Sequence, residues 1–288
     1  MIICIVGPTC SGKSSVAEEL SIALKAKIVN FDAFQIFREM NIGTAKPTNE
    51  ELNSGRYFLY NIRNVNEPYD VYKYQHDCRE FLNNNLNENI ILVGGTGLYL
   101  KAALYDYKFS KEDEMPKDYL SDKTNQELFD QLNQIDPSDA SKIGVNNRKR
   151  LLRSLFIYNE HGVSKTELND NGKNTLLYKD VIFIGLDIDR EILYKNINYR
   201  VDEMMKNGLS EEVKFLFNKY GKNERALQAI GYKEFNNELS DNDRVELIKK
   251  NTRNYAKRQM TFFRHQFNNI HWFKSKKEAI EYGKEIGK

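Results

Sequence analysis

Gly7-Pro-Thr-Cys-Ser-Gly-Lys-Ser14 fits the spacing G-x-x-x-x-G-K-S/T, and it follows an apolar run and opens an amphipathic one. In that context glycines let backbone N–H groups turn around an anion, and the helix start adds partial positive charge. Lys13 would neutralise phosphate oxygens and Ser14 would ligate Mg²⁺. The pattern is strong for phosphate and silent about whose phosphate. Asp32 ends a second apolar run, where it could orient a metal, act as a general base or merely cap a turn. Gly94-Gly-Thr-Gly97, at the end of a third such run, offers another backbone approach to an anion together with the Thr96 hydroxyl.

These residues must be carried by an α/β frame. Ile2–Val6, Lys27–Phe31, Asn89–Val93 and Asp180–Asp187 read as strands buried on both faces, with helices predicted over 14–25 and 71–86. Strand, loop, helix and strand in repetition predict a parallel sheet flanked by helices. From Lys108 to about Ala140 the chain turns charged and polar, with helices predicted over 125–135 and 147–159. This stretch is expected to be a small helical insertion at 108–140, or extending to about 178, between core segments 1–107 and 141–288. Residues 191–266 read as mostly amphipathic helix, followed by a charged helical tail.

Composition narrows the class. A net charge of +2 means that attraction to nucleic acid must come from local clusters. Cys4, Cys10 and Cys78 have no metal-ligand spacing and suit reduced thiols in the cytoplasm. No apolar run reaches the length of a membrane span, and Met1–Val6 reads as a strand rather than a leader. Two basic clusters stand out: Arg148, Lys149, Arg150 and Arg153, and the helix bearing Arg253, Lys257, Arg258 and Arg264. Arg253 and Lys257 fall on one face, while Tyr255, Phe262 and Phe263 can pack inward. His76, His161, His265 and His271 are scattered and read as ordinary.

Several segments together resemble the tRNA dimethylallyltransferase family, which shares a P-loop NTPase-like core. Gly7–Ser14 is similar to its G-P-T-x-S-G-K-S/T, and Asp32–Pro47 to its D-S-x-Q-x-Y-x-x-x-x-I-G-T-A-K-P. Ile91–Lys101, Arg150–Arg153, Gln228–Glu234 and Lys257–Arg264 resemble four further signatures, in the family's order. The resemblance implies transfer of a dimethylallyl group from dimethylallyl diphosphate to N6 of the adenosine 3′ of a tRNA anticodon, in tRNAs reading UNN codons. It implies that Gly7, Pro8, Thr9, Cys10, Ser11, Gly12, Lys13, Ser14 and Arg200 hold the diphosphate with Mg²⁺. Asp32 would take the amine proton and Thr96 would bond near the departing oxygen. Asp32, Ala33, Phe34 and Gln35, then Lys149, Arg150, Leu151, Leu152 and Arg153, and finally Lys257, Arg258 and Arg264 would meet the tRNA anticodon stem-loop.

The chain departs from the pattern at Ala33, where the family has Ser, at Gly144-Val-Asn-Asn147, and at Phe156, where a glutamate is usual. None of these touches Lys13, Ser14, Asp32 or Thr96. A cytoplasmic monomer is expected, with no membrane association. Two rival readings remain at this level: a small-molecule kinase using the loop for ATP, and a non-catalytic RNA-binding protein.

Overall fold

The computed structural model describes residues 1–107, 115–116, 118–170 and 175–287. The elements run β1 (Ile2–Val6), α1 (Lys13–Leu24), β2 (Lys27–Asn30), α2 (Asn49–Leu52), β3 (Tyr57–Phe58), α3 (Val71–Asn84), β4 (Ile90–Val93) and α4 (Gly97–Leu104). Then come α5 (Asn125–Ile135), α6 (Pro137–Ile143), α7 (Arg148–His161), α8 (Lys165–Asp170), β5 (Val181–Leu186), α9 (Arg190–Lys206) and α10 (Leu209–Tyr220). Two 3₁₀ turns (Ala226–Gln228 and Lys233–Asn236), α11 (Asp241–Gln266), β6 (Ile270–Phe273) and α12 (Lys276–Ile286) complete the chain.

The strands form one parallel sheet in the order β3-β2-β4-β1-β5-β6. β1 is buried throughout, because helices cover both faces of a parallel sheet. On one face Ile3, Ile5, Ile28, Ile91, Val93, Ile184 and Leu186 pack on Val16 and Leu20 of α1 and on Ala279 and Ile280 of α12. β3 and β6 were not expected from the sequence. β3 is only two residues long, and β6 carries an exposed His271 and half-buried neighbours, so neither has the apolar run of a central strand.

The chain divides into two compact units, Met1–Leu104 with Tyr178–Lys288, and Tyr105–Leu177. The second unit therefore includes α7, which an edge at residue 140 would have left in the core. The reason is packing: Leu151 and Leu155 of α7 close on Leu128 and Leu132 of α5 and on Ala140, forming the unit's own apolar centre. Residues 108–114, where the insertion was expected to begin, lie outside the described residues. The helices of this unit start on local signals. Thr124 and Glu127 make a capping box, and Asp136 caps α6 ahead of Pro137. Among the described residues no helix is long and apolar enough to cross a membrane.

Candidate active site

β1 ends directly in the glycine-rich loop, and the register of β2 on β4 brings the next two loops beside it. Asn30 pairs with Val93, the Phe31 N–H donates to Val93 O (3.0 Å), and the Thr96 N–H donates to Phe31 O (3.2 Å). This ladder sets Asp32 against Gly95. A Cβ at Gly95 would lie 2.8 Å from Asp32 Oδ2 and 2.7 Å from Gln259 Nε2, so any side chain there would have to push these two groups aside.

The loop itself is strained where it must turn. Cys10 has φ 63°, and Gly12 (φ 94°) leads into α1. Opening α1 at Lys13 leaves its first N–H groups without intrahelical acceptors. Lys13 is buried, and its ammonium donates to Gly7 O (2.9 Å) and Pro8 O (2.7 Å). Burial, reinforced by the nearby Arg200, lowers its pKa to about 8. Ser11 Oγ is buried and has no hydrogen-bond partner among the described residues. Ser14 is exposed and lines the cavity over the loop.

Asp32 sits at the centre. Its Oδ1 accepts from the Phe34 N–H (3.0 Å), and Asn30 Oδ1 accepts from the Asp32 N–H (2.8 Å). Burial raises its pKa, and the Phe34 N–H and the Lys13 charge oppose the rise without cancelling it. A carboxylate held this way is a better base than an exposed one. Thr96 does not line the cavity. Its Oγ1 accepts from the Ala33 N–H (3.0 Å), supporting the backbone next to Asp32, and Ala33 keeps this bond without the serine hydroxyl usual there.

Two adjoining cavities meet at this point. One, about 330 Å³, lies over Cys10, Gly12, Lys13 and Ser14 and reaches Gln35 and Tyr60. The other, about 290 Å³, is walled by Phe34, Met204, Ile230, Ile248 and Arg258. Thr9, Asp32, Thr44, Ala45, Arg200 and Tyr255 line both. A polar end over the glycine loop therefore opens into a more apolar one, with the Asp32 carboxylate between them. Gln35 lines the cavity over the glycine loop, and its Nε2 donates to Thr44 O (2.9 Å) and Ala45 O (3.3 Å), two residues that line both cavities.

The site also uses residues that the sequence did not single out. Gln259, buried on α11, accepts from the Thr9 N–H (2.8 Å) and donates to Gly95 O (2.9 Å), tying the first glycine loop to the second. Tyr255, one turn earlier, packs inward as expected but also donates its hydroxyl to Gly95 O (3.1 Å). The spacing of four between these polar residues inside an aromatic helix was the available signal. Lys46 donates to Phe37 O, Asn41 Oδ1 and Asn61 Oδ1 and so staples its own loop rather than facing an anion.

The basic residues separate into free and occupied. Arg258 lines the second cavity with its guanidinium 5.8 Å from the Tyr255 ring centre. Arg253, expected on an outward basic stripe, instead donates to Asn198 Oδ1 (2.8 Å) and lies over the Tyr194 ring. Lys257 and Arg264 lie apart from Asp32, along a different cavity beside Pro8, and Arg264 is ion-paired with Asp187 at 3.0 Å. In the helical unit Lys149 and Arg150 are exposed. Leu151 is wholly buried in that unit's core, so its side chain is not available as the RNA contact it was expected to be, while Leu152 is half-buried and packs against that core. Arg148 is likewise occupied, donating to Leu120 O and Lys123 O. Arg153 lies over the ring of Phe156, and that ring meets Tyr119 edge-on, so the unusual aromatic is absorbed by packing.

The metal donor set is sparse. Among the described residues no group of three or more His, Cys, Asp or Glu side chains could hold an ion. Mg²⁺ commonly uses one or two protein oxygens and takes the rest from phosphates and water, so the Ser14 hydroxyl beside an anion cradle fits it.

Comparison with known proteins agrees with this geometry. A model of the IPP transferase family matches residues 35–266. A tRNA dimethylallyltransferase of Bacillus anthracis is 38% identical over 282 residues, covering 93% of this chain and 89% of the relative. The crystal structure of a tRNA delta(2)-isopentenylpyrophosphate transferase from Staphylococcus epidermidis superposes with a TM-score of 0.71 at 32% identity, covering 99% of this chain and 98% of that one. A eukaryotic dimethylallyltransferase, described as acting on tRNA, gives a TM-score of 0.82 at 27% identity over 95% of this chain and 73% of its own. With the phosphate loop, the half-buried carboxylate and the parallel sheet in place, this chain belongs to the IPP transferase family.

Proposed function

We propose that this protein is a tRNA dimethylallyltransferase that moves the dimethylallyl group of dimethylallyl diphosphate to N6 of the adenosine 3′ of the anticodon in tRNAs reading UNN codons. The observation that carries the reading is the placement of Asp32 between an anion cradle and an apolar cavity, lining both. That is where a base must stand if a diphosphate leaves on one side and a nucleobase enters from the other.

In this reading the lone pair of N6 attacks the allylic carbon while the C–O bond to diphosphate breaks. Asp32 takes the proton that the amine loses, compensating for a nucleophile whose lone pair is delocalised into the ring. The first N–H groups of α1, Lys13 and Arg200 receive the developing negative charge on the departing diphosphate. Mg²⁺, held through Ser14 and the diphosphate, would supply further neutralisation of that leaving group. Thr96 keeps the Asp32 loop in place through its bond to Ala33. Phe34 and Arg258 line the path of the incoming base, and Gln35, on the phosphate-loop side, meets it beyond Thr44 and Ala45, which line both cavities. Lys149, Arg150 and Arg153, with Lys257 and Arg264, serve the backbone of the anticodon stem-loop.

The target base must leave its stack to reach Asp32, at a cost that backbone contacts offset. Three free, buried cysteines suit a reducing cytoplasm, and we read the enzyme as a monomer there. The test is direct. Incubation with Mg²⁺, labelled dimethylallyl diphosphate and unmodified UNN-reading tRNA should place label on the RNA. Phosphoryl transfer from ATP in its place would show a kinase, and tRNA binding with no diphosphate site would show a non-catalytic binder.

A further inference from the structure

The loop between Glu39 and Ala45 supplies the two carbonyls that hold Gln35, and α10 holds that loop. Glu212 receives three successive backbone N–H groups: Asn41 (3.0 Å) and Ile42 (2.8 Å) on Oε2, and Gly43 (3.1 Å) on Oε1. Three converging N–H groups form an anion-binding concavity, here filled by the protein's own carboxylate. Tyr232, fully buried, adds its hydroxyl to Oε1 (2.7 Å). Its ring passes so close to the loop that a Cβ at Gly43 would come within 2.5 Å of it. At the other end Lys219 and Tyr220 of α10 both bond Glu39 at 2.6 Å.

The consequence falls on Gln35. Its amide has two hydrogens, and two carbonyls, Thr44 O and Ala45 O, stand against them. With both hydrogens engaged, Oε1 is the polar atom left for a ligand in the cavity that Gln35 lines. An acceptor at that position favours a base with an exocyclic amine, such as adenine, and disfavours one with a carbonyl there, such as hypoxanthine.

We propose that Glu212 is a positioning residue: by pinning the backbone at 41–43 it holds the Thr44 and Ala45 carbonyls on the Gln35 amide and so determines which edge of that amide the acceptor base meets. This rests on the prenyl-transfer reading. Glu212 lines neither cavity. In E212Q one oxygen becomes an NH₂ group that meets backbone N–H donors, so the loop loses bonds on that side and the Gln35 amide becomes free to turn over.

The experiment compares two anticodon stem-loops, one with adenine and one with hypoxanthine at the target position, by equilibrium binding to the wild-type protein, E212Q and Y232F. The wild type should bind the hypoxanthine RNA on the order of tenfold more weakly, the scale of an unpaired buried polar group. In E212Q that ratio should fall toward one, and in Y232F part of the way, while affinity for inorganic diphosphate stays unchanged in both. Equal weakening of the two RNAs with the ratio preserved would make Glu212 a merely structural residue and overturn the proposal, as would a wild type that does not discriminate. Should E212Q fail to fold, an unchanged ratio in Y232F decides against it. Failure of the wild type to prenylate the adenine RNA would refute the proposed function itself, which is a separate readout.

Discussion

Lys13 gives the most quantitative test of the site. It is 9% exposed and donates to two neutral carbonyls, and among the described residues no carboxylate bonds it. Burial and Arg200 lower its pKa from 10.5 to about 8, a penalty on the charged form of about 3 kcal/mol. Between about pH 8 and 10.5 the folded protein has released this proton while the unfolded chain still holds it. Unfolding then takes up a proton, so stability should rise with pH across that window, by about 3 kcal/mol in full. Lys13→Met keeps the apolar stem and removes the charge. Lys46, whose pKa burial also lowers to about 8, contributes a similar slope to both proteins. The difference between wild type and variant therefore isolates Lys13. At pH 7 the variant gains from losing the buried charge but leaves the Gly7 and Pro8 carbonyls unpaired, at about 1 kcal/mol each, so its net advantage should be small. Urea unfolding from pH 7 to 10 measures both quantities. Inorganic diphosphate should then stabilise the wild type and leave the variant almost unmoved. A wild-type-minus-variant difference that stays flat above pH 8, or changes in favour of the variant, would refute the argument that Lys13 is held as a costly charge awaiting an anion.

Asp32→Asn should lower turnover by about 10²–10⁴-fold while diphosphate affinity survives, as expected for a base. Loss of donor binding in a titration would make Asp32 a metal-organising residue instead. Because burial raises the Asp32 pKa, wild-type turnover should fall as pH drops through that raised value, and the residual rate of the variant should lack this limb. Gly95→Ala pushes a methyl group toward Asp32 Oδ2 and should cost on the order of 100-fold in single-turnover transfer, the scale of a misplaced catalytic group. A normal rate would mean that the two loops separate without consequence. Leu151→Ala should destabilise the helical unit by about 2–5 kcal/mol in denaturant unfolding. Lys149→Ala, at an exposed position, should stay within about 0.5 kcal/mol of wild type, and the opposite ranking would contradict the burial of Leu151.

Features written in contiguous residues were legible. The apolar runs of β1, β2, β4 and β5, the glycine loop and the end of a strand at Asp32 all follow from local pattern, and α5 spans the expected 125–135. The start of α5 was legible where Thr124 supplies a cap, whereas α6, capped by Asp136, was not anticipated. The short strands β3 and β6 were not legible, since they are the half-exposed edges of the sheet and carry no continuous apolar run. A cluster of cations likewise looks the same in sequence whether its members are free or already paired. Arg253 meets Asn198 and Arg264 meets Asp187 across long separations, so the outward basic stripe was partly an internal network. Leu151, read with its basic neighbours, is taken up by the core of its own unit.

By itself the sequence determined the anion grip. The turn of the glycine loop, the start of α1 and the lysine within it depend on residues a few positions apart, whose conformations are set by local sterics and hydrogen bonding. Only the tertiary structure decided what stands around that grip. Gln259 reaches Thr9 across 250 positions, and Glu212 reaches Gly43 across 169. The Asp32–Gly95 approach exists because β2 and β4, whose paired residues are 63 positions apart, pair in one register. Such contacts form only when a sheet and its covering helices close together, and no local preference encodes which distant side chain then completes the hydrogen bond.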